Sequence, residues 1–143
     1  MLNTPLTPEL MVSDLDVSLP FWCDVLGFSI QYERPESRFV MLKRQGVRFM
    51  LDEYDPNREG IWLTAPLEEP FGRGINFEIE TTDVEVLYEN VRRCGADIFL
   101  ELEDKWYRAD DMELGNRQFI VLDPDGYMLR FVEDIGERPI HKS

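Results

Sequence analysis

The chain has 143 residues, 43% hydrophobic and 12% aromatic, which is about one domain with enough apolar side chain for a sizeable core. Fifteen Lys and Arg against 29 Asp and Glu leave a formal net charge of −14. With no basic cluster to interrupt that acidity, nucleic acids and anionic membranes are poor partners, whereas a small cationic ligand is attracted by the same field. No stretch has the ~18 apolar residues of a membrane span. Met1 to Pro8 lacks the pattern of a signal peptide, so the expectation is a cytoplasmic protein. Cys23 and Cys94 have no neighbouring thiol and are expected to be reduced and mostly buried. The one histidine, His141, stands three residues from the end in an expected frayed tail, which leaves the chain short of the usual imidazole for metal or base chemistry.

Leu10-Met11-Val12 is a short apolar run that predicts a strand, followed by a helix capped by Asp14 or Asp16 with Val17, Phe21 and Val25 on one face. Pro20 fits near the first turn and Gly27 closes the helix. Trp22 falls at a helical core position. Strands are predicted at Phe28 to Glu33, Phe39 to Lys43 and Val47 to Asp52, as an antiparallel meander. Residues 54–73 carry Pro and Gly punctuation with Trp62 and Phe71 embedded, and read as a linker.

The same grammar then returns. Ile75 to Glu80 alternates, Asp83 caps a helix with Val84, Leu87, Val91 and Cys94 in helical spacing, and Gly95 stops it. Strands follow at Ile98 to Leu102, Gln118 to Leu122 and Met128 to Val132, the last two joined by an Asp123-Pro124-Asp125-Gly126 turn. Strand, helix and three strands, given twice, predict an α+β protein of two tandem βαβββ modules, about 6–53 and 74–134, with a C-terminal tail at 135–143.

The motifs resemble a known group. Val12-Ser13-Asp14-Leu15 with Ser18, Phe21-Trp22 and Leu26-Gly27-Phe28 is similar to the opening signature of the vicinal oxygen chelate superfamily, and Gly115 to Phe119, Asp123 to Tyr127 and Arg130-Phe131 to its closing one. The superfamily includes glyoxalase I, extradiol dioxygenases, fosfomycin-resistance enzymes and bleomycin-resistance proteins. The likeness runs over roughly residues 6 to 134 and implies two modules, each curling a mixed sheet around a pocket. The superfamily's enzymes hold a divalent metal at positions that fall here on Thr7, Gly74 and Arg130. Threonine and glycine are not ligands for a catalytic ion and arginine is a permanent cation, so neither metal nor cofactor is expected. The chain is thus most similar to the metal-free bleomycin-resistance branch. That resemblance implies a homodimer that sequesters a cationic, aromatic-containing antibiotic without chemistry, in preference to a metal-dependent glyoxalase- or dioxygenase-like enzyme or a binder or isomerase of another metabolite.

The candidate ligand-binding residues are Phe39, Asp52, Trp62, Trp106 and Tyr107. Phe39 sits near the branch's stacking phenylalanine, although an isolated strand Phe is more often core. Asp52 ends a strand on the face of Met50, where the plain alternative is a solvated strand end. Trp62 either closes the pocket or packs under its loop. Trp106-Tyr107 stands among Glu103, Asp104, Lys105 and Arg108 before an expected polar loop from Arg108 to Asn116, which favours a pocket wall over deep core. Glu68-Glu69 and Asp110-Asp111 read as solvated loop charge.

Overall fold

The computed structural model describes residues 3–140, so His141 lies outside the described residues. The chain divides into two compact units: Met1–Gly74 together with Asp123–Tyr127, and Ile75–Leu122 together with Met128–Ser143. Each unit has an open four-stranded mixed sheet, which is the α+β architecture of paired βαβββ modules. Among the described residues no helix is long and apolar enough to cross a membrane.

In the first unit the strands are β1 (Glu9–Val12), β2 (Ser29–Arg34), β3 (Phe39–Arg44) and β4 (Val47–Glu53), in spatial order β1-β4-β3-β2. β1 runs parallel to β4 and the others are antiparallel. Side chains alternate between the sheet faces, so the register sorts them. Leu10, Val40, Leu42, Phe49 and Leu51 share the core face and are all nearly or fully buried. Trp22 fills the space over them, with ring centroids 5.0 Å from Phe49 and 5.2 Å from Phe28.

Asp14 caps α1 (Leu15–Leu19), its side chain accepting from Asp16 N–H. Pro20 stands just past the end of α1, not in its first turn as expected, because Asp14 starts the helix at Leu15 and Pro20 opens the wider π turns over Pro20–Val25. Proline cannot donate to the preceding turn, and Leu26 N–H instead reaches back five residues to the Phe21 carbonyl. The inward face is therefore Leu15, Ser18, Trp22 and Leu26, all buried, and not Val17, Phe21 and Val25; Val17 is 53% exposed.

The Asp123–Tyr127 turn belongs to the first unit and is held there by side chains. The Trp22 indole N–H donates to Asp123 Oδ2 at 3.3 Å, and Asp123 Oδ1 accepts from the Asp125 and Tyr127 amides. The Tyr127 hydroxyl donates to the Met11 carbonyl at 2.8 Å, and Ser13 N–H donates to Asp125. Residues 54–73, read as a linker, pack into this unit as well. A Cβ on Gly72 would come within 2.4 Å of the Gly126 carbonyl oxygen, so only glycine allows the two backbones to lie this close.

The second unit contains β5 (Asn76–Glu80), α2 (Val84–Arg93), β6 (Asp97–Ala109), β7 (Met112–Leu122) and β8 (Met128–Pro139), with strand order β5-β8-β7-β6. Ile79, Phe119, Val121, Leu129 and Phe131 form the core with Val84, Leu87, Tyr88 and Val91 of α2, and the Phe119 and Phe131 rings stack at 5.5 Å. Asp83 does not cap α2 with its side chain; it accepts from Thr81 Oγ1, while Glu133 takes the Val84 amide. Cys94 is exposed and Cys23 half-buried, so the expectation of mostly buried thiols fails. The expected polar loop from Arg108 to Asn116 is instead the end of a long hairpin, with Ala109 opposite Met112 and only Asp110-Asp111 in the turn. The expected tail is likewise the end of β8 as far as Pro139, paired to Met112.

Candidate functional site

In the first unit the sheet face opposite the core carries two transverse rows. Register places Met11, Asp52, Phe39 and Arg34 side by side across four strands, and Glu9, Met50, Met41 and Tyr32 in the next row. The first row borders a groove of about 270 Å3 lined also by Glu9, Arg58, Gly60 and Trp62. Three of the five residues singled out in the sequence, Phe39, Asp52 and Trp62, therefore meet in one groove.

Their states differ. Trp62 is 86% exposed, an indole held in the open. Phe39 is only 4% exposed because its neighbours cover it: the Arg34 guanidinium lies 3.9 Å from the ring centroid and Tyr32 tilts against it at 6.2 Å. It is thus at once a packed residue and a groove wall. Asp52 is not a solvated strand end. It is buried and gripped by Arg58, with Nη1 to Oδ1 at 3.0 Å and Nη2 to Oδ2 at 2.8 Å, a two-point charge-assisted contact. Arg58 reaches it from a tight turn in which Asn57 and Arg58 both donate to Asp55. Glu9 has its carboxyl pushed above the usual range, first by burial and then by the neighbouring Asp52 charge.

The rim beside this row is also pinned. Arg38, with left-handed φ of 51°, donates to Glu53 from Nε and Nη2 and lies within 3.3 Å of Asp16. Glu53 Oε2 also accepts from the Leu15 amide. The Arg38 hydrogen bonds hold the Glu53 carboxyl below its ordinary range.

Trp106 and Tyr107 belong to β6 in the second unit. As neighbours on a strand they point to opposite faces. The Trp106 ring lies over Gly115, where a Cβ would come within 2.7 Å of it, and the Arg138 guanidinium sits 4.1 Å from its centroid. Tyr107 is 40% exposed, and its hydroxyl accepts from Gln118 Nε2 at 2.7 Å. Gln118, itself buried, also donates to Glu103 and accepts from Arg130 Nη1. Near this network Glu78, Glu80, Asp134 and Glu137 line a second groove of about 400 Å3, together with Leu114, Asn116, Val132 and Gly136. Its acidic lining went unforeseen because the four carboxylates come from two strands that only the β5–β8 pairing brings together.

The residues at the enzyme metal positions do not fit a divalent ion. Arg130 projects a guanidinium from β8, hydrogen-bonded to Gln118 and 3.8 Å from Glu78, where a carboxylate ligand would be required. Thr7 offers only a neutral hydroxyl and Gly74 no side chain. Among the described residues no group of three or more His, Cys, Asp or Glu is placed to hold a metal.

The family model described as Glyoxalase/Bleomycin resistance protein/Dioxygenase superfamily matches residues 5–131. The chain belongs to that superfamily. Curated relatives named bleomycin resistance protein, from Geobacillus stearothermophilus and from Staphylococcus aureus, are 28% identical over 137 residues, covering 90% of this chain and 95% of theirs. Among solved structures, a protein of unknown function from Agrobacterium tumefaciens is 28% identical with a TM-score of 0.67, covering 89% of this chain and 90% of that one. TioX from Micromonospora sp. ML1 has a TM-score of 0.68 at 22% identity, covering 91% of this chain and 98% of that one, a likeness of fold. In this member three arginines stand at the grooves: Arg130 on β8 beside Glu78, and Arg34 and Arg58 in the first groove. Nothing in the sequence marks Arg58, because its link to Asp52 depends on how the intervening turn folds back.

Proposed function

We propose that this member is a binding protein of the bleomycin-resistance type, which sequesters a cationic, aromatic-containing antibiotic without chemically altering it. The observation that carries the reading is the first-unit groove, where aromatic Phe39 and Trp62 stand beside the carboxylates of Glu9 and Asp52. It is supported by 28% identity, over nearly the full length, to proteins named for bleomycin resistance. A flat heteroaromatic group stacking on such side chains gains ~1 kcal/mol per good pair beyond area burial. The net charge of −14 attracts a cationic tail at long range, an effect that salt screens. Trp106 and Tyr107 are further ligand contacts in this reading, and the working form is a cytoplasmic homodimer, whose isologous interface is expected to bury ~1,600 Å2 in total. The donor set at Thr7, Gly74 and Arg130 favours binding over metal-dependent catalysis.

Titration calorimetry with metal-free bleomycin at low and high salt tests the proposal. Micromolar or tighter binding that weakens with salt is expected. No detectable heat, with no protection of a sensitive host, would overturn it. Light scattering at micromolar concentration tests the dimer, and a monomer would remove that part of the proposal.

A further inference from the structure

The first-unit groove meets its own chemical demands with arginines. The Asp52 side chain is only 11% exposed and has both oxygens engaged by Arg58, whose own side chain is 34% exposed and comes from the turn that leads to Trp62. The Phe39 ring carries the Arg34 guanidinium at 3.9 Å, and the Arg34 charge also acts on the Glu9 carboxyl. Buried carboxylate and aromatic face are the two features that a cationic aromatic ligand would occupy, and a planar cation of the chain itself sits on each.

We propose that Arg58 is a resident stand-in for the ligand's cation and determines specificity by exchange: a ligand bearing a planar cation replaces it on Asp52 and releases the Asp55–Trp62 turn. This rests on the reading of the chain as a binder of cationic aromatic ligands. The physical reason is the cost of leaving a buried carboxylate without a partner. A neutral aromatic that pushed Arg58 aside would strand Asp52, so it is rejected although it fits the groove. A cation with the same two-donor fork restores what was removed, and the groove's charge is conserved through the exchange. Lysine cannot replace arginine in this role, because an ammonium contacts the carboxylate as a point and not as a fork.

The test uses benzamidinium, a small planar aromatic cation, with benzyl alcohol as its neutral counterpart. Binding and probe-induced shift of the melting temperature are measured for the wild type, R58Q, R58K and the double variant R58Q/D52N. Expected results are weak benzamidinium binding to the wild type and binding about tenfold or more tighter to R58Q, a gain of ~1.4 kcal/mol. R58K should be intermediate, and the double variant should lose the gain. Benzyl alcohol should be rejected alike by the wild type, R58K and R58Q, and admitted only by the double variant, which has no buried carboxylate to strand. If R58Q binds benzamidinium no tighter than the wild type, or the double variant keeps the gain, the proposal is overturned. Should R58Q fail to fold, R58K decides alone, and no tightening in it counts against the proposal. Metal-free bleomycin titrated into the wild type and R58Q separates the two claims. Equal binding to both would retain the antibiotic reading and overturn the exchange. Binding to neither, beside the expected benzamidinium pattern, would remove the antibiotic and retain the exchange.

Discussion

The two units present the same four-stranded template with opposite solutions on their open faces. In the first, the carboxylates Glu9 and Asp52 share the groove with the guanidinia of Arg34 and Arg58, and aromatic rings form part of the wall. In the second, Glu78, Glu80, Asp134 and Glu137 line the groove, and Arg130 stands 3.8 Å from Glu78 and donates to Gln118. A duplicated backbone therefore specifies where a groove lies but not what it attracts. That is decided by which side chains stand opposite one another across the strands, an effect of register. The first groove is aromatic and internally neutralised; the second is acidic and mostly aliphatic in its apolar part.

The sharpest way to break this comparison is through the cores beneath the grooves. Trp22 is fully buried under the first sheet and Phe119 under the second. Truncating either to alanine removes a large ring from a packed interior, which costs ~3–5 kcal/mol. Chemical denaturation of Trp22→Ala and Phe119→Ala should show comparable losses. A loss below about 1 kcal/mol for either would mean that its unit lacks the core described for it.

pH separates the units next. Asp123, 4% exposed in the first unit, has its carboxyl raised to about 6 from the ordinary 3.8, chiefly by burial and further by the Asp125 charge, against the hydrogen bonds from Tyr127, Asp125 and Trp22. The folded state thus holds this proton more tightly than the unfolded chain does. At neutral pH the charged buried group lowers stability, and stability is regained as the pH falls through 6 toward 4. The difference between about 6 and the ordinary 3.8 corresponds to at most ~3 kcal/mol. Wild-type unfolding free energy should rise between pH 7.5 and 5, and Asp123→Asn should flatten that rise. Equal slopes in the two proteins would show that Asp123 is not the group responsible.

Two glycines sharpen the contrast further. Gly72 in the first unit faces the Gly126 carbonyl oxygen, with 2.4 Å available to an added Cβ, and backbone cannot move aside cheaply. Gly115 in the second faces the Trp106 ring and the Ile135 side chain at 2.7 and 2.8 Å, which can turn. Both alanine variants should destabilise by ~1–3 kcal/mol, with Gly72→Ala the larger. Thermal melts of the pair check the order, and a larger effect at Gly115 would show that Trp106 is more rigidly held than its surroundings indicate.

Much of this was legible in the sequence, and the misses have physical causes. Strands with alternating or continuous apolar patterns, and helices stopped by Gly27 and Gly95 at φ of 84° and 71°, appear where periodicity puts them. Trp22 is core as its helical spacing predicts, but the inward stripe is not Val17, Phe21 and Val25, because the helix continues as π turns from Pro20. The Arg108 to Asn116 end of the β6–β7 hairpin reads as a loop in sequence because Glu113 within it, like Asp104 and Arg117 beside it, looks like solvated charge. They form cross-strand pairs, Arg117 to Asp104 at 2.8 Å and Arg138 to Glu113 at 3.2 Å, only once the register is known. That Phe39, Asp52 and Trp62 line one groove depends on strand register and on the path of the turn, and the pairing of Asp52 with Arg58 likewise required the folded turn.

The smallest effect on folding is expected where the comparison bears most directly on function. Trp62 is 86% exposed, so Trp62→Ala should change folding stability by no more than ~0.5 kcal/mol. Trp106 is half-buried over Gly115 and capped by Arg138, so Trp106→Ala should cost more, since packing and a cation–π contact are lost together. As a ligand-stacking partner, either ring should contribute ~1–2 kcal/mol to binding, roughly a tenfold loss of affinity on truncation. Thermal midpoint and bleomycin affinity measured together divide the two roles. A variant that melts like the wild type but binds tenfold more weakly has lost a wall of the site. One that melts early and binds normally when folded has lost packing alone. For Trp62 the exposed indole commits the outcome to the first pattern. The second pattern at Trp106 would confine the stacking surface to the first unit's groove, beside the arginines that already occupy it.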